Sequence, residues 1–324
     1  MRKQQAVWKL ISDSLSQGAQ VMLLYVLQSS GSSPGRQGFA MAVNQSGQIA
    51  GSIGGGIMEH KFVEMAKEQL KQNQQSITLR QQFHDKKAAK NQSGMICSGE
   101  QTILIYPVKA IEKPYIDALI KSIDADKNGL LKLSPKGIEF SDEAAESDFV
   151  FGMESENIWH YQEKTGYKNH LFIIGGGHCS LALSQLMSTM DFYIHIYDNR
   201  PELNTLADND YAQEKTLVND YSELKDVIHS GASHYVIIMT FGYRTDDAAL
   251  RALLDKSFKY TGLLGSKTKI AEMFNTYIAE GLATEERLKK IHSPVGIPIK
   301  SQTPEEIAVS IAAEIIKVKN AHLN

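Results

Sequence analysis

The chain has 324 residues, more than one hydrophobic core usually organises, so two domains are expected. Its formal charge of −3, with no long run of Lys or Arg, argues against nucleic acid as a main partner. No apolar stretch approaches the roughly 18–20 residues that span a bilayer. The polar opening Met1-Arg2-Lys3-Gln4-Gln5 does not read as a signal peptide, and two distant cysteines, Cys97 and Cys179, cannot make a disulfide framework. The expectation is a reduced, cytoplasmic protein with no membrane partner.

In chain order, Val7, Leu10, Ile11 and Leu15 recur at helical spacing over residues 6–15. Residues 21–27 form a near-continuous apolar run of strand length, suited to burial on both faces. A Gly/Ser/Pro loop follows, and then residues 39–43 and 48–53 read as a hairpin around Asn44-Gln45-Ser46-Gly47. Gly54-Gly55-Gly56 opens directly into a helix over residues 57–72, whose apolar face carries Ile57, Met58, Phe62, Met65, Ala66 and Leu70. Strands are expected at 76–83 and 101–108, a helix near 114–123, and short hairpin-like segments beyond it. These place a smaller N-terminal α+β domain at residues 1–167.

Residues 168–324 alternate more regularly. Strands at 170–174, 192–197, 234–240 and 260–264 are separated by helices that include 181–190, 246–254 and 267–279. That alternation specifies a parallel sheet with right-handed crossovers and helices on both faces, a Rossmann-type domain. The last helix carries a start signal in Thr303-Pro304-Glu305-Glu306: an N-cap Thr, Pro at the first helical position, and a reciprocal Glu.

The first strand of this second domain runs into Gly175-Gly176-Gly177-His178 without a gap. A dinucleotide loop needs glycine where the chain turns sharply and where backbone approaches a pyrophosphate, with helix N–H groups holding the phosphate. Gly175 and Gly177 fit the first two positions of that fingerprint, Ser180 stands at the third, and Asp198 ends the second strand about twenty residues on, where an acid receives ribose hydroxyls. NAD(P) is therefore one candidate ligand; another phosphate-bearing ligand, or none, is the alternative. Arg200 beside Asp198 reads either as a phosphate contact or as a solvated loop charge, and His178 as a ligand contact or a residue that simply starts the helix.

The first domain holds two glycine-rich loops, over residues 31–38 and 51–56. Gly54, Gly55 and Gly56 before a helix offer N–H groups suited to an anion, and Glu59 in the first turn either complements the helix dipole or faces the ligand. Cys97 lies between Gly94 and Gly99, where a thiolate could ligate a soft metal or a sulfur-bearing group; Cys179 reads as packing. The histidines show no zinc spacing.

Taken in order, these motifs resemble the xanthine dehydrogenase accessory proteins, the XdhC/CoxI family. In the first domain the resemblance rests on Gly31-Ser32-Ser33-Pro34, on Gly51-Ser52-Ile53-Gly54-Gly55-Gly56 with Glu59, and on the Cys97 loop. In the second it rests on Gly175-Gly176-Gly177-His178, Asp198-Asn199-Arg200-Pro201-Glu202, Met239-Thr240, Gly262-Leu263-Leu264-Gly265-Ser266, His292-Ser293-Pro294-Val295-Gly296 and Thr303-Pro304-Glu305-Glu306. The resemblance implies a chaperone of purine catabolism. Its cargo would be molybdenum cofactor (molybdopterin), whose sulfuration and insertion it would assist. The implied partner is xanthine dehydrogenase or a related molybdenum hydroxylase, with a cysteine desulfurase-type sulfur donor and a second copy of the chain as further candidates. The chain departs from the family pattern at Ile57-Met58, where relatives often carry Cys-Leu, at Ser98 within Cys97-Ser98-Gly99, and at Phe241-Gly242-Tyr243-Arg244, which replaces a more His-rich stretch. Cys97 is then the one candidate thiolate of the first domain. The competing reading is an NAD(P)-dependent oxidoreductase with His178 or Tyr243 as proton donor, and the blandest is a protein–protein adaptor.

Overall fold

The structure, a computed structural model, describes residues 2–83 and 99–321. Two units divide the chain, Met1–Gly166 and Tyr167–Asn324. The N-terminal unit is thus the slightly longer one, not the smaller.

The first unit begins with α1 (Arg2–Ser16), β1 (Val21–Gly31), β2 (Ala40–Asn44), β3 (Ile49–Gly51) and α2 (Gly56–Lys71). It continues through β4 (Thr78–Phe83), β5 (Gly99–Pro107) and α3 (Lys113–Asp124), then β6 (Gly129–Ser134), β7 (Gly137–Ser141), β8 (Phe149–Ser155) and β9 (Ile158–Thr165). The apolar run of β1 sits at the centre of an antiparallel sheet in the order β3-β2-β1-β5-β4. Because side chains alternate along a strand, Val21, Leu23, Tyr25 and Leu27 enter one core while Met22, Leu24 and Val26 enter another. The second core is closed by Met58, Phe62, Val63, Ala66 and Leu70 of α2. The first is closed by α1, α3 and a second antiparallel sheet, β7-β6-β9-β8. Within it Glu163 is buried and accepts from the hydroxyls of Tyr25 at 2.5 Å and Tyr161 at 2.8 Å.

The second unit runs β10 (Asn169–Ile174), α4 (His178–Met187), β11 (Phe192–Asp198), α5 (Asn204–Ala207), β12 (Glu214–Leu217), α6 (Leu224–Val227) and β13 (Gly231–Ile238). It ends with α7 (Tyr243–Leu253), β14 (Phe258–Leu263), α8 (Lys267–Ala279), α9 (Glu285–Leu288) and α10 (Pro304–Lys319). All strand pairs are parallel, in the order β12-β11-β10-β13-β14. The order reverses between β10 and β13, which makes the carboxyl ends of these strands the switch-point crevice of a doubly wound sheet. One face packs Leu171, Ile173, Ile194 and Ile196 against Leu183 and Met187 of α4 and Ile311 and Ile315 of α10. The other packs Ile174, Val236 and Ile238 against α7, α8 and α9. The expected cap of α10 is formed: Thr303 Oγ1 accepts from the Glu306 N–H and the Glu306 carboxylate reaches back to the Thr303 N–H.

The short strand β12 has no counterpart in the sequence expectations. Its four residues, Glu214-Lys215-Thr216-Leu217, carry no apolar alternation and are strand only because they pair with β11 at the sheet edge.

Candidate functional site

The glycine loop after β10 is shaped by contact rather than by composition alone. Gly175 has φ +110°, and a Cβ there would lie 2.4 Å from the Met239 carbonyl oxygen, so only glycine fits against the end of β13. Gly177 has open space where its Cβ would be, and among the described residues no side chain caps the N-terminus of α4. Its first-turn N–H groups therefore face the crevice with the positive end of the helix dipole behind them. His178 is exposed at that position. Cys179 is half-buried against the α4–α10 core, and burial followed by the charge of Glu305 pushes its thiol upward, which fits packing rather than reactivity.

Asp198 does something other than the ribose-binding role expected for it. It is fully buried, and its Oδ2 accepts from the Gly176 N–H at 2.6 Å and from Arg200 Nη2 at 2.7 Å. Its Oδ1 accepts from the Arg200 N–H at 2.8 Å and from Arg200 Nε at 2.9 Å. Burial alone would raise this carboxyl, but the hydrogen bonds from Arg200 and Gly176 hold it below the usual carboxylate range. A carboxylate offers about four lone-pair sites, and here all are taken, which leaves none for a ribose diol. Asp198 instead fixes the glycine loop and aims Arg200. The guanidinium carbon lies 5.5 Å from the centroid of the Phe241 ring, which is 76% exposed.

Beyond β13 a second polar group is locked. Asp246 is buried, accepts from the Thr240 N–H at 3.0 Å and the Thr240 hydroxyl at 2.5 Å, and pairs with Lys269 of α8. The Met239-Thr240 motif thus orders the turn into α7. The His292-Ser293-Pro294-Val295-Gly296 motif is also structural in its contacts. Glu314 of α10 accepts from the Gly296 N–H at 2.8 Å and the Tyr260 hydroxyl at 2.5 Å, and lies 3.2 Å from His292 Nδ1. Gly262 accommodates Val295, which a Cβ would meet at 2.5 Å.

In the N-terminal unit the two glycine loops meet backbone to backbone. A Cβ on Gly54 would lie 2.4 Å from the Gly35 nitrogen, and one on Gly35 would lie 2.0 Å from the Ile53 carbonyl oxygen. Gly54, Gly55 and Gly56 all have positive φ. The expectation that this triplet presents free N–H groups to an anion is corrected by Glu59. Its Oε2 accepts from Ser52 Oγ at 2.6 Å and from the Ile53 and Gly55 N–H groups at 2.9 Å, while the Gly54 N–H goes to Ser52 Oγ at 3.1 Å. Burial raises the Glu59 carboxyl, but these hydrogen bonds outweigh it and leave the group below its ordinary range. A phosphate at this loop would meet a negative charge already seated there. Among the described residues, Gly56 is the one of the three glycines that is both unengaged and open. Cys97, the expected thiolate, lies outside the described residues.

Sequence reasoning missed one cluster. Parallel register brings His170 of β10 opposite His234 of β13 and Tyr193 of β11, and His195 stands two residues beyond Tyr193 on that strand. His170 Nδ1 and His195 Nε2 are 3.1 Å apart, and His195 Nδ1 is 3.0 Å from Glu214 Oε2. The signal that could have found it is one histidine at a similar depth in each of three predicted strands. Among the described residues no group of three or more His, Cys, Asp or Glu side chains could hold a metal ion, and no helix is long and apolar enough to cross a membrane.

Fold and site together define a two-unit protein that joins an α+β unit to a Rossmann-type unit with an open glycine loop at its switch point. Comparison with known families matches residues 14–82 to the XdhC and CoxI family and residues 171–315 to the XdhC Rossmann domain. With both matched in order along one chain, the protein belongs to the XdhC and CoxI family. It is 25% identical over 300 residues to the protein YqeB of Escherichia coli K12, covering 91% of this chain and 43% of that protein. It is 27% identical over 157 residues to a probable xanthine dehydrogenase subunit of Bacillus subtilis 168, covering 47% of this chain and 43% of that one. The chain thus spans less than half the length of either curated relative. A Bacillus halodurans crystal structure described as a xanthine dehydrogenase superposes with a TM-score of 0.68 at 21% identity, over 97% of this chain and 96% of that one, which supports the fold.

Proposed function

We propose that this chain is a maturation factor that binds molybdenum cofactor through its Rossmann-type unit and assists its sulfuration and insertion into xanthine dehydrogenase or a related molybdenum hydroxylase. The observation that carries this reading is the pairing of an XdhC Rossmann domain, matched over residues 171–315, with uncapped N–H groups at the start of α4. The cargo is a pterin bearing a phosphate, and a helix N-terminus at a switch point is where a phosphate binds. The name of the Bacillus subtilis relative supports the choice of partner. A cysteine desulfurase-type sulfur donor completes the proposal.

An NAD(P)-dependent oxidoreductase is the weaker reading: for NAD the Asp198 carboxylate keeps no acceptor for the ribose diol. The deciding experiment incubates the purified chain anaerobically with molybdenum cofactor released from a holoenzyme, then measures molybdenum and pterin fluorescence across gel filtration. Co-elution of both is expected. Cofactor that runs free of the protein, with saturable NADH binding and hydride transfer to a carbonyl, would replace the carrier with the oxidoreductase.

A further inference from the structure

Arg200 and Phe241 stand at the ends of different strands. Arg200 follows β11 and Phe241 follows β13, and β10 lies between those strands in the sheet. Their side chains nonetheless approach to 5.5 Å, so they reach toward each other across the carboxyl end of β10, where the glycine loop begins. Arg200 is not a free surface charge. Its Nε and Nη2 are held by the buried Asp198 carboxylate, which is itself tied to the Gly176 N–H. Fixing two corners of a planar guanidinium fixes the third. Among the described residues Nη1 has no hydrogen-bond partner, the Arg200 side chain is 35% exposed, and it lies beside a phenyl ring that is 76% exposed.

We propose that Arg200 and Phe241 form the recognition pair for the ligand of this crevice, and that the ligand is a planar heterocycle carrying an anionic group. The proposal rests on the reading that the α4 N-terminus binds a phosphate-bearing molecule. The heterocycle stacks on the open face of Phe241, and the anionic group accepts from Arg200 Nη1. Asp198 is a positioning residue: it orients Arg200 and does not itself touch the ligand. The selectivity is then opposite to that of a site with a free acid at this strand end. A bare ribose diol finds no acceptor, whereas an added phosphate finds a preset guanidinium. Two sources share this chemistry, a pterin phosphate and a nucleotide with a phosphate beside its base.

The test uses the full chain with three probes, molybdenum cofactor, NADPH and NADH, followed by fluorescence titration, and the variants Phe241→Ala, Arg200→Lys and Asp198→Asn. Phe241 is mostly exposed, so its alanine variant should melt with the wild type yet bind molybdenum cofactor or NADPH about tenfold more weakly, as loss of one stacked ring does. Arg200→Lys, which keeps the charge without the fork, should narrow the preference for NADPH over NADH or weaken molybdenum cofactor binding. Asp198→Asn should shift the ligand affinity in the same direction as Arg200→Lys. Tight molybdenum cofactor binding would identify the pterin source, and NADPH binding alone the nucleotide source; either supports the pair if Phe241→Ala weakens it. Wild-type affinity in both Phe241→Ala and Arg200→Lys would overturn this inference and leave the carrier function standing. NADH bound as well as NADPH would overturn it also. Failure of the wild type to bind any of the three would overturn both readings.

Discussion

The Glu59 carboxylate receives the Gly55 N–H at 2.9 Å, so a glycine triplet with the backbone of an anion cradle is closed by the protein's own acid. The same oxygen also takes the Ile53 N–H and the Ser52 hydroxyl, which ties the loop to the first turn of α2. The pairing explains why an acid stands four residues after the second glycine of a loop that otherwise reads as a phosphate site.

A carboxyl whose folded pKa is depressed stabilises the fold above its ordinary pKa, and that stabilisation is lost as pH falls through the folded value. The Glu59 carboxyl lies below its usual range. Glu59→Gln should therefore lower the melting temperature at pH 7 by a few degrees, for roughly 1 kcal/mol after solvent screening. The gap from wild type should close as pH drops below the carboxylate range. A gap that is constant from pH 7 to pH 3.5 would show that the charge of Glu59 is not what holds the loop.

Gly175 and Gly177 should respond oppositely to alanine. At Gly175 the new Cβ would meet the backbone of Met239 at 2.4 Å in a left-handed conformation, and backbone cannot move aside cheaply. Gly175→Ala should cost at least about 2 kcal/mol in urea denaturation. Gly177→Ala meets open space, so stability should hold within about 0.5 kcal/mol while ligand approach to α4 is hindered. Equal destabilisation by both would contradict the packing described for Gly175.

The buried Asp246 pairs with the partly buried Lys269 and also carries Thr240. Asp246→Asn should destabilise by about 3–5 kcal/mol, because it strands a partly buried ammonium. The double variant Asp246→Asn with Lys269→Met should cost less than the two single changes added together. Simple additivity in denaturation midpoints would show that the two side chains are not coupled.

His195 is half-buried between Glu214 and His170, and burial lowers its pKa despite the opposing pull of Glu214. A histidine with a depressed folded pKa lends stability above its unfolded value of about 6.5, and that contribution is lost as pH falls through the lower folded value. The melting temperature should thus decline between pH 7.5 and 5.5, above the range in which carboxylates titrate. His195→Gln should flatten that decline. An unchanged slope would assign it to other groups.

Much of the architecture was legible in the chain itself. The apolar run of β1, the glycine run into α4, the Thr303–Glu306 cap and the strand–helix repeat of the second unit are local patterns, so they can be read from neighbours alone. The edge strand β12 was not legible, because a short polar segment becomes a strand only by pairing with β11.

The sequence by itself determined where glycine, acid and histidine stand, and that one glycine loop precedes a helix in each unit. Only the tertiary structure decided which of them remain available. Glu59 takes the Ile53 and Gly55 N–H groups of its own loop, Asp198 spends all its acceptors on Gly176 and Arg200, and Gly177 is left open. The reason is physical: a buried carboxylate must be satisfied by whatever donors packing brings within about 3 Å, and that distance is set by strand register and crossover, not by position along the chain.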